Sequence, residues 1–498
     1  MKKLISIVSI ISIFFLGWNP ATLYAAEEEI QEEFIYSILI DRYNNGDHSN
    51  DEGVNTDDPL AYHGGDFQGI IDKLDDLVEV GVTTISLSPI MNNSEKGYHG
   101  YWVEDFYEVE EQFGTLEEFN LLIEEAHKRN IKVVMEFMAN YVSPNHPFVQ
   151  DSEKENWILD NQEIEGPKWT SGAKALNLDN TEVQEYITDV AKYWMEETDI
   201  DGLHFQAIDQ IPIDFLEALT SQIREENPGF YLLGDTLITD ENSEVILENT
   251  EIQVIDNPPL TEVMVETFSK VNQDVLNIYE VWESSNNQVP LLAMDDMYSK
   301  RFTQELAEGG RNALTAWKLA LTYMFTTPGI PSIYQGSEIP MYGANAEEAQ
   351  QLVRFNSGDS DLQEFYHQIS SLRKQFPALQ FGDFELVGSS NAMSVFRRSY
   401  NGETFYIAIN NSSESQDLAV TNLDSGLQLR GYLGDNLVRE NDEGVYRIGL
   451  ARETAEVYHV QPNTGLNWTF ISFVGGVFLI FIVGVIYLSM KQRKREIG

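Results

Sequence analysis

From Phe34 onward the chain alternates short β-rich runs with amphipathic helical stretches, and nothing else in the sequence restricts the fold as strongly. "FIYSILI", "VTTISLSP", "IKVVMEFMAN", "GLHFQAI", "GFYLLGD", "VPLLAMDD" and "GIPSIYQG" read as strands. Between them, "FQGIIDKLDDLVEVG", "LEEFNLLIEEAHKRN", "VQEYITDVAKYWMEETD", "PIDFLEALTSQIREEN" and "NALTAWKLALTYMFT" carry the apolar period of helices with one buried face. Parallel strands need crossovers of a dozen residues or more, and helices of this length supply them. Eight strands can be drawn without strain, so the expected fold is α/β, a (β/α)8 TIM barrel over residues 27–375 in preference to an open doubly wound sheet.

Residues 141–180, with "YVSPNHPFVQDSEKENW", are too long for a plain connection and read as a short excursion after the third strand. Over 376–462 the texture changes to brief alternating runs ("MSVFRRSY", "TFYIAINNS", "VYRIGL") separated by turn residues, the pattern of a C-terminal antiparallel β-sandwich.

The two ends point to the compartment. Residues 1–26 have two lysines, an apolar run and a small-residue "ATLYAA", which is the layout of an export signal. Trp468 to Met490 is uncharged and long enough to cross a bilayer, so 467–490 is expected to be a transmembrane helix. The basic tail 491–498, "KQRKREIG", should stay cytoplasmic by the positive-inside rule. The expectation is a single-pass type I protein of a Gram-positive-type envelope, with its large part displayed outside the cell. The net charge of −50 repels phosphate backbones, so no nucleic acid is expected as a partner. With no cysteine, disulfides and thiol catalysis are excluded.

Six segments then resemble one family in their order and approximate spacing: "YHGYWVEDFYEVEEQFGT", "IKVVMEFMANYVS", "IDGLHFQAID", "YLLGDTL", "PLLAMDDMYSKRF" and "TTPGIPSIYQGSEI". They are similar to the sequence blocks of the α-amylase family, and the β-rich end resembles that family's C-terminal domain. The resemblance implies retaining cleavage of α-glucosidic bonds. A strand-end aspartate attacks the sugar, a glutamic acid protonates the leaving oxygen and a second aspartate holds sugar hydroxyls. That chemistry needs its nucleophile and acid ~5 to 5.5 Å apart, one ionised and one protonated.

The sequence departs from the pattern at most of these positions. Gln206 stands where the resemblance places the nucleophile, and a neutral amide cannot form the covalent intermediate. His204 replaces the supporting arginine and lacks its bidentate fork. Asp235 takes the general-acid position with a side chain one methylene short, where a ~1 Å displacement can cost ~100-fold. Tyr141 and Asp295 correspond to the two sugar-binding histidines, and Glu136 to a strand-three aspartate. Asp296, in the second aspartate's position, is kept, as are His99 and Tyr101, the latter matching the aromatic under the sugar. Two other routes stay open. Asp209 could substitute for the nucleophile, although a surface carboxylate at a helix start is the plainer reading. Asp235 and Asp296 could straddle a water for inverting chemistry at ~6.5 to 9.5 Å.

"DRYNNGDHSND" and "YHGGDFQG" resemble the N-terminal calcium loop of bacterial relatives such as cyclodextrin glycosyltransferases. Asn45, Asp47, Asn50, Asp51, Asp66 and the Gly64 carbonyl offer hard oxygens that suit a structural Ca²⁺. A second calcium site implied by the resemblance keeps Asn140 but has Ala175 where an aspartate is usual, so no metal is expected there. The expected function is that of a membrane-anchored pseudo-glycosidase that binds an α-glucan or scaffolds a membrane or envelope protein. The alternative is an active α-glucan hydrolase or transferase with atypical residues.

Overall fold

The computed structural model describes residues 30–496 apart from 160–163, 165, 239–240, 286–288, 422 and 464–467. The export signal expected over 1–26 therefore lies outside the described residues, as do the last two residues of the basic tail.

Eight parallel strands form one sheet: β1 (Ile35–Ile38), β2 (Thr84–Leu87), β3 (Lys132–Phe137), β4 (Gly202–Phe205), β5 (Tyr231–Gly234), β6 (Val254–Ile255), β7 (Leu291–Leu292) and β8 (Ile330–Tyr334). Their order is β6-β5-β4-β3-β2-β1-β8-β7. A parallel bridge between Asp256 and Leu291 joins the two ends of that order and closes the barrel. The strands read as continuous apolar runs because a parallel sheet wrapped by helices is buried on both faces. In β2, β4 and β5 every residue is buried.

The crossover helices form because apolar residues recur on one face, and in several of them a polar residue caps the start. In helix Leu116–His127, Thr115 accepts from the Glu118 backbone while the Glu118 carboxylate accepts from the Thr115 N–H, and Phe119, Leu122, Ile123 and Ala126 are buried. Helix Thr181–Glu197 starts on Asn180 and buries Val183, Ile187, Val190 and Trp194. The excursion is pinned at its base by antiparallel pairing of Tyr141 with Ala175 and Val142 with Lys174.

Beyond helix Ser360–Gln375 the chain folds into an antiparallel domain of a six-stranded and a two-stranded sheet between Asp383 and Pro462. It is fastened to the barrel by Asn411, whose side-chain N–H groups donate to the carbonyls of Thr267, Lys270 and Gln273 while its oxygen accepts from Arg311. A last helix spans Trp468–Glu496. Its side chains at 468–471, 489 and 491–496 lie outside the described set, and among the described residues no helix is long and apolar enough to cross a membrane. The membrane span over 467–490 thus remains an expectation of the sequence.

Candidate active site

In parallel barrels the residues just past the strand ends converge on one mouth, where ligands and chemistry are placed. Here the ends of β3 to β7 deliver Glu136, His204, Gln206, Asp235, Asp256, Asp295 and Asp296 to that mouth. Register sets part of the arrangement, since His204 pairs directly with Glu136 on one side and Leu233 on the other. After Gln206 the backbone turns through Ala207 in the left-handed region, with φ of 55°, a conformation that costs a non-glycine residue ~1 to 3 kcal/mol.

The centre is a closed polar cluster. His204 Nε2 lies 3.1 Å from Asp235 Oδ1, and Gln206 Nε2 donates to Asp235 Oδ2 at 3.0 Å. His204 Nδ1 meets the Ser86 hydroxyl at 3.1 Å. Burial by itself would lower the His204 pKa. The Asp235 carboxylate outweighs it, helped by Glu136 and Asp256, and carries the imidazole up to about 9. Burial would likewise raise Asp235, but the His204 charge and the Gln206 hydrogen bond hold it below its usual value. The pair is therefore imidazolium and carboxylate at neutral pH, and Asp235 carries no proton to give. Asp256 takes the opposite course, pushed well up by burial and by the Asp235 charge. Burial also lifts Glu136, to about 7.

Tyr101 is fully buried; its hydroxyl donates to Glu136 at 2.8 Å and accepts from Tyr298 at 3.0 Å. His99 stacks on Tyr101, and burial drops its pKa to about 3, so it is neutral. Tyr141 is 4% exposed and packs edge-on against Trp169. The Asp296 carboxylate accepts from the Tyr298 backbone and the Ser299 hydroxyl, which closes its own turn.

Two residues expected to touch ligand do other work. Asp295 is tied to the protein on both oxygens, with Oδ1 accepting from the Phe302 N–H and Oδ2 from the Ser337 hydroxyl, beside the buried Arg301. These partners make it a support for the segment beyond β7. Asp209 accepts from the backbones of Leu237 and Ile238, which gives it a structural role in the loop beyond β5. Asp256, Tyr298, Ser86 and Trp169 are members of the cluster or its cover that the sequence did not single out.

The loops expected to hold calcium come together in part. A Cβ on Gly64 would stand 2.4 Å from Asn45 Nδ2 and 3.1 Å from Asp51 Oδ1, so Asn45, Asp51 and Gly64 adjoin. The side-chain oxygens of Asn45 and Asn50 are buried without a partner, which suits donors to a hard cation. Asp47 turns instead to Ser49. Asp66 is not available: its two oxygens accept the N–H groups of Gly46, Asp47 and Gly69 as the cap of helix Phe67–Ile71. Among the described residues no three His, Cys, Asp or Glu side chains converge on a metal position, so a cation here would rest mostly on amide and carbonyl oxygens with Asp51 as its carboxylate. At the excursion's base, Asn140 lines a cavity of about 100 Å³ with its Oδ1 unpaired, and Ala175 beside it offers no ligand.

A closed eight-strand barrel with this cluster at its mouth matches a known family. Residues 37–169 and 157–371 fit the alpha amylase catalytic domain, and 382–458 fit the alpha-amylase C-terminal domain. The chain belongs to the alpha-amylase family. Among solved members of the family, an Anoxybacillus alpha-amylase is 39% identical with a TM-score of 0.83, covering 88% of this chain and 99% of that one. The alpha-amylase of Geobacillus thermoleovorans complexed with acarbose is 37% identical with a TM-score of 0.81, covering 87% and 99%. Among curated family members, the beta/alpha-amylase of Paenibacillus polymyxa is 28% identical over 471 residues. This chain spans 38% of that relative's length, and 88% of this chain is covered.

Proposed function

We propose that this chain keeps the fold and site position of the alpha-amylases without their retaining hydrolysis, and that it acts by binding an α-glucan or by scaffolding an envelope protein. The observation that carries this reading is the Gln206–Asp235–His204 cluster. Double displacement needs a carboxylate to bond to the sugar and a second carboxyl group to donate a proton. Gln206 supplies no nucleophile, and Asp235 has one oxygen on the imidazolium and the other on the Gln206 amide. The remaining aspartate, Asp296, is tied into its own turn, which also weighs against a water held between it and Asp235.

The test is reducing-sugar release from maltodextrin, run beside the Anoxybacillus relative. A purified preparation is expected to be slower by roughly four to six powers of ten, the scale seen when a covalent nucleophile is removed. Gln206→Asp alone should leave it slow, because the Asp235 side chain is one methylene short and stays bound to the His204 imidazole. A second reading, a working α-glucan hydrolase, is favoured by its relatives, which include a cyclomaltodextrinase and a maltogenic amylase. Maltose production by the unaltered chain at rates near its relative's would establish that reading instead.

A structural calcium ion held by the side-chain oxygens of Asn45 and Asn50, with Asp51 and the Gly64 carbonyl, accords with the two unpaired amide oxygens. It would pin two loops and take no part in chemistry. Calcium at a hundred times its Kd should add about 2.7 kcal/mol of stability, read as a rise in Tm that EDTA reverses and Asn45→Ala removes. An unchanged melt would dismiss the ion. Anchoring by 467–490 is supported by the sequence and by the exposure of Phe473, Phe478, Leu479 and Ile480 on the last helix, which need a cover. Alkaline carbonate extraction of membranes tests it: release of the chain into the supernatant would refute the anchor.

A further inference from the structure

Residues 166–171 cross the mouth of the barrel and touch three of its rim loops. Trp169 lies on the Tyr101 ring with centroids 4.9 Å apart, and the Trp102 indole donates to its carbonyl at 2.6 Å. Lys168 forms an ion pair with Glu347, in the short helix Ala346–Ala349 beyond β8. Gly166 packs on Leu237 beyond β5, so closely that a Cβ would stand 3.0 Å from Leu237 Cδ1. Tyr101, beneath Trp169, has no exposure, and Gln206 has 5%. One contact is left unmade: the Trp169 indole Nε1 is buried with no partner. Lifting the segment would return that N–H to water or to a ligand hydroxyl, so the shut state carries the penalty of an unsatisfied donor. The outer ion pair adds little, since Lys168 is 74% exposed.

We propose that this segment is a strap that occupies the ligand position over Tyr101, and that an α-glucan reaches the Gln206–Asp235 floor only when the strap lifts. This inference rests on the glucan binding proposed above. When the competent state is a minor one, apparent affinity falls by its fraction, so a strap shut nine-tenths of the time or more hides at least about tenfold of binding.

Titration calorimetry of the full chain with maltoheptaose tests this. Trp169→Ala should bind at least about tenfold tighter than the parent, and Trp169→Phe, which keeps a ring on Tyr101, should stay within about twofold of it. Lys168→Ala, which removes only an exposed ion pair and leaves the fold intact, should tighten binding about two- to threefold. It decides the matter if Trp169→Ala fails to fold. Binding by these variants no tighter than the parent's, including no heat at all, overturns the strap. Heat from the parent without tightening in the variants would overturn the strap alone, no heat from any of them would overturn glucan binding with it, and recovery of whole maltoheptaose reports separately on hydrolysis.

Discussion

Asp295→Ala is expected to cost about 3 to 5 kcal/mol of unfolding free energy, the range for removing one partner of a buried charge pair. Its carboxylate satisfies the Phe302 N–H and the Ser337 hydroxyl and lies 3.6 Å from Arg301 Nη1. Arg301 is fully buried, over the Tyr334 ring, and its other donors serve the carbonyls of Gln335 and Ala349. Removing Asp295 strands that charge and two further donors at once. Asp295→Asn keeps the shape and should cost less, about 1 to 3 kcal/mol. Asp296→Ala, one residue on, loses only its two turn hydrogen bonds and should cost about 1 kcal/mol. Urea melts at constant m-value measure all three. An Asp295→Ala midpoint close to the parent's would mean that the carboxylate is no support and would return it to the ligand contacts.

The contrast between Asp295 and Asp296 shows where a sequence stops being readable. The barrel was legible because strands buried on both sides leave unbroken apolar runs and the helices between them leave a 3.6-residue period. β6, Val254–Ile255, left no such run: two residues are too short to show a pattern, and its end residue Asp256 was missed with it. At a strand end neighbouring residues face opposite ways, so "MDD" fixes which two carboxylates arrive and not which one looks into the mouth. Asp66 could have been found, since an aspartate directly before an apolar helical run is a cap signal. Trp169 could not, because its place on Tyr101 joins segments far apart in the chain and nothing local encodes it. The loss of the nucleophile was visible in "GLHFQ". Its consequence, an Asp235 carboxylate spent on both His204 and Gln206, needed three side chains placed together.

Stability is expected to be greatest near pH 5 and to fall steadily to pH 9, a direction unlike that of most soluble domains. Burial raises seven carboxyl groups: Asp41 to about 6, against the pull of Arg42, Glu110, Glu136 and Glu338 each to about 7, and Asp66, Asp256 and Asp296 in the same direction. A raised acid keeps its proton in the folded chain after the unfolded chain has lost it. Its contribution is complete below the unfolded pKa, ~4 to 4.5, and is lost as pH climbs through 6 and 7. His204, raised to about 9, acts in the same sense at higher pH, its contribution complete below ~6.5 and lost through 9. Asp235 is depressed and opposes them only below its ordinary value, where protonation breaks the pair. A tenfold difference in proton affinity between the folded and unfolded chain is worth ~1.4 kcal/mol, so the groups together imply a loss of several kcal/mol between pH 5 and 9. Self-repulsion at a net charge of −50 adds to it. Calorimetric Tm across that range measures the slope, and Glu136→Gln, which removes one of the titrations, should flatten it between pH 5 and 7. A Tm that rises from pH 5 to 8 would show that these carboxyl groups are ionised in the folded chain, and would overturn with them the charge balance assigned to the mouth of the barrel.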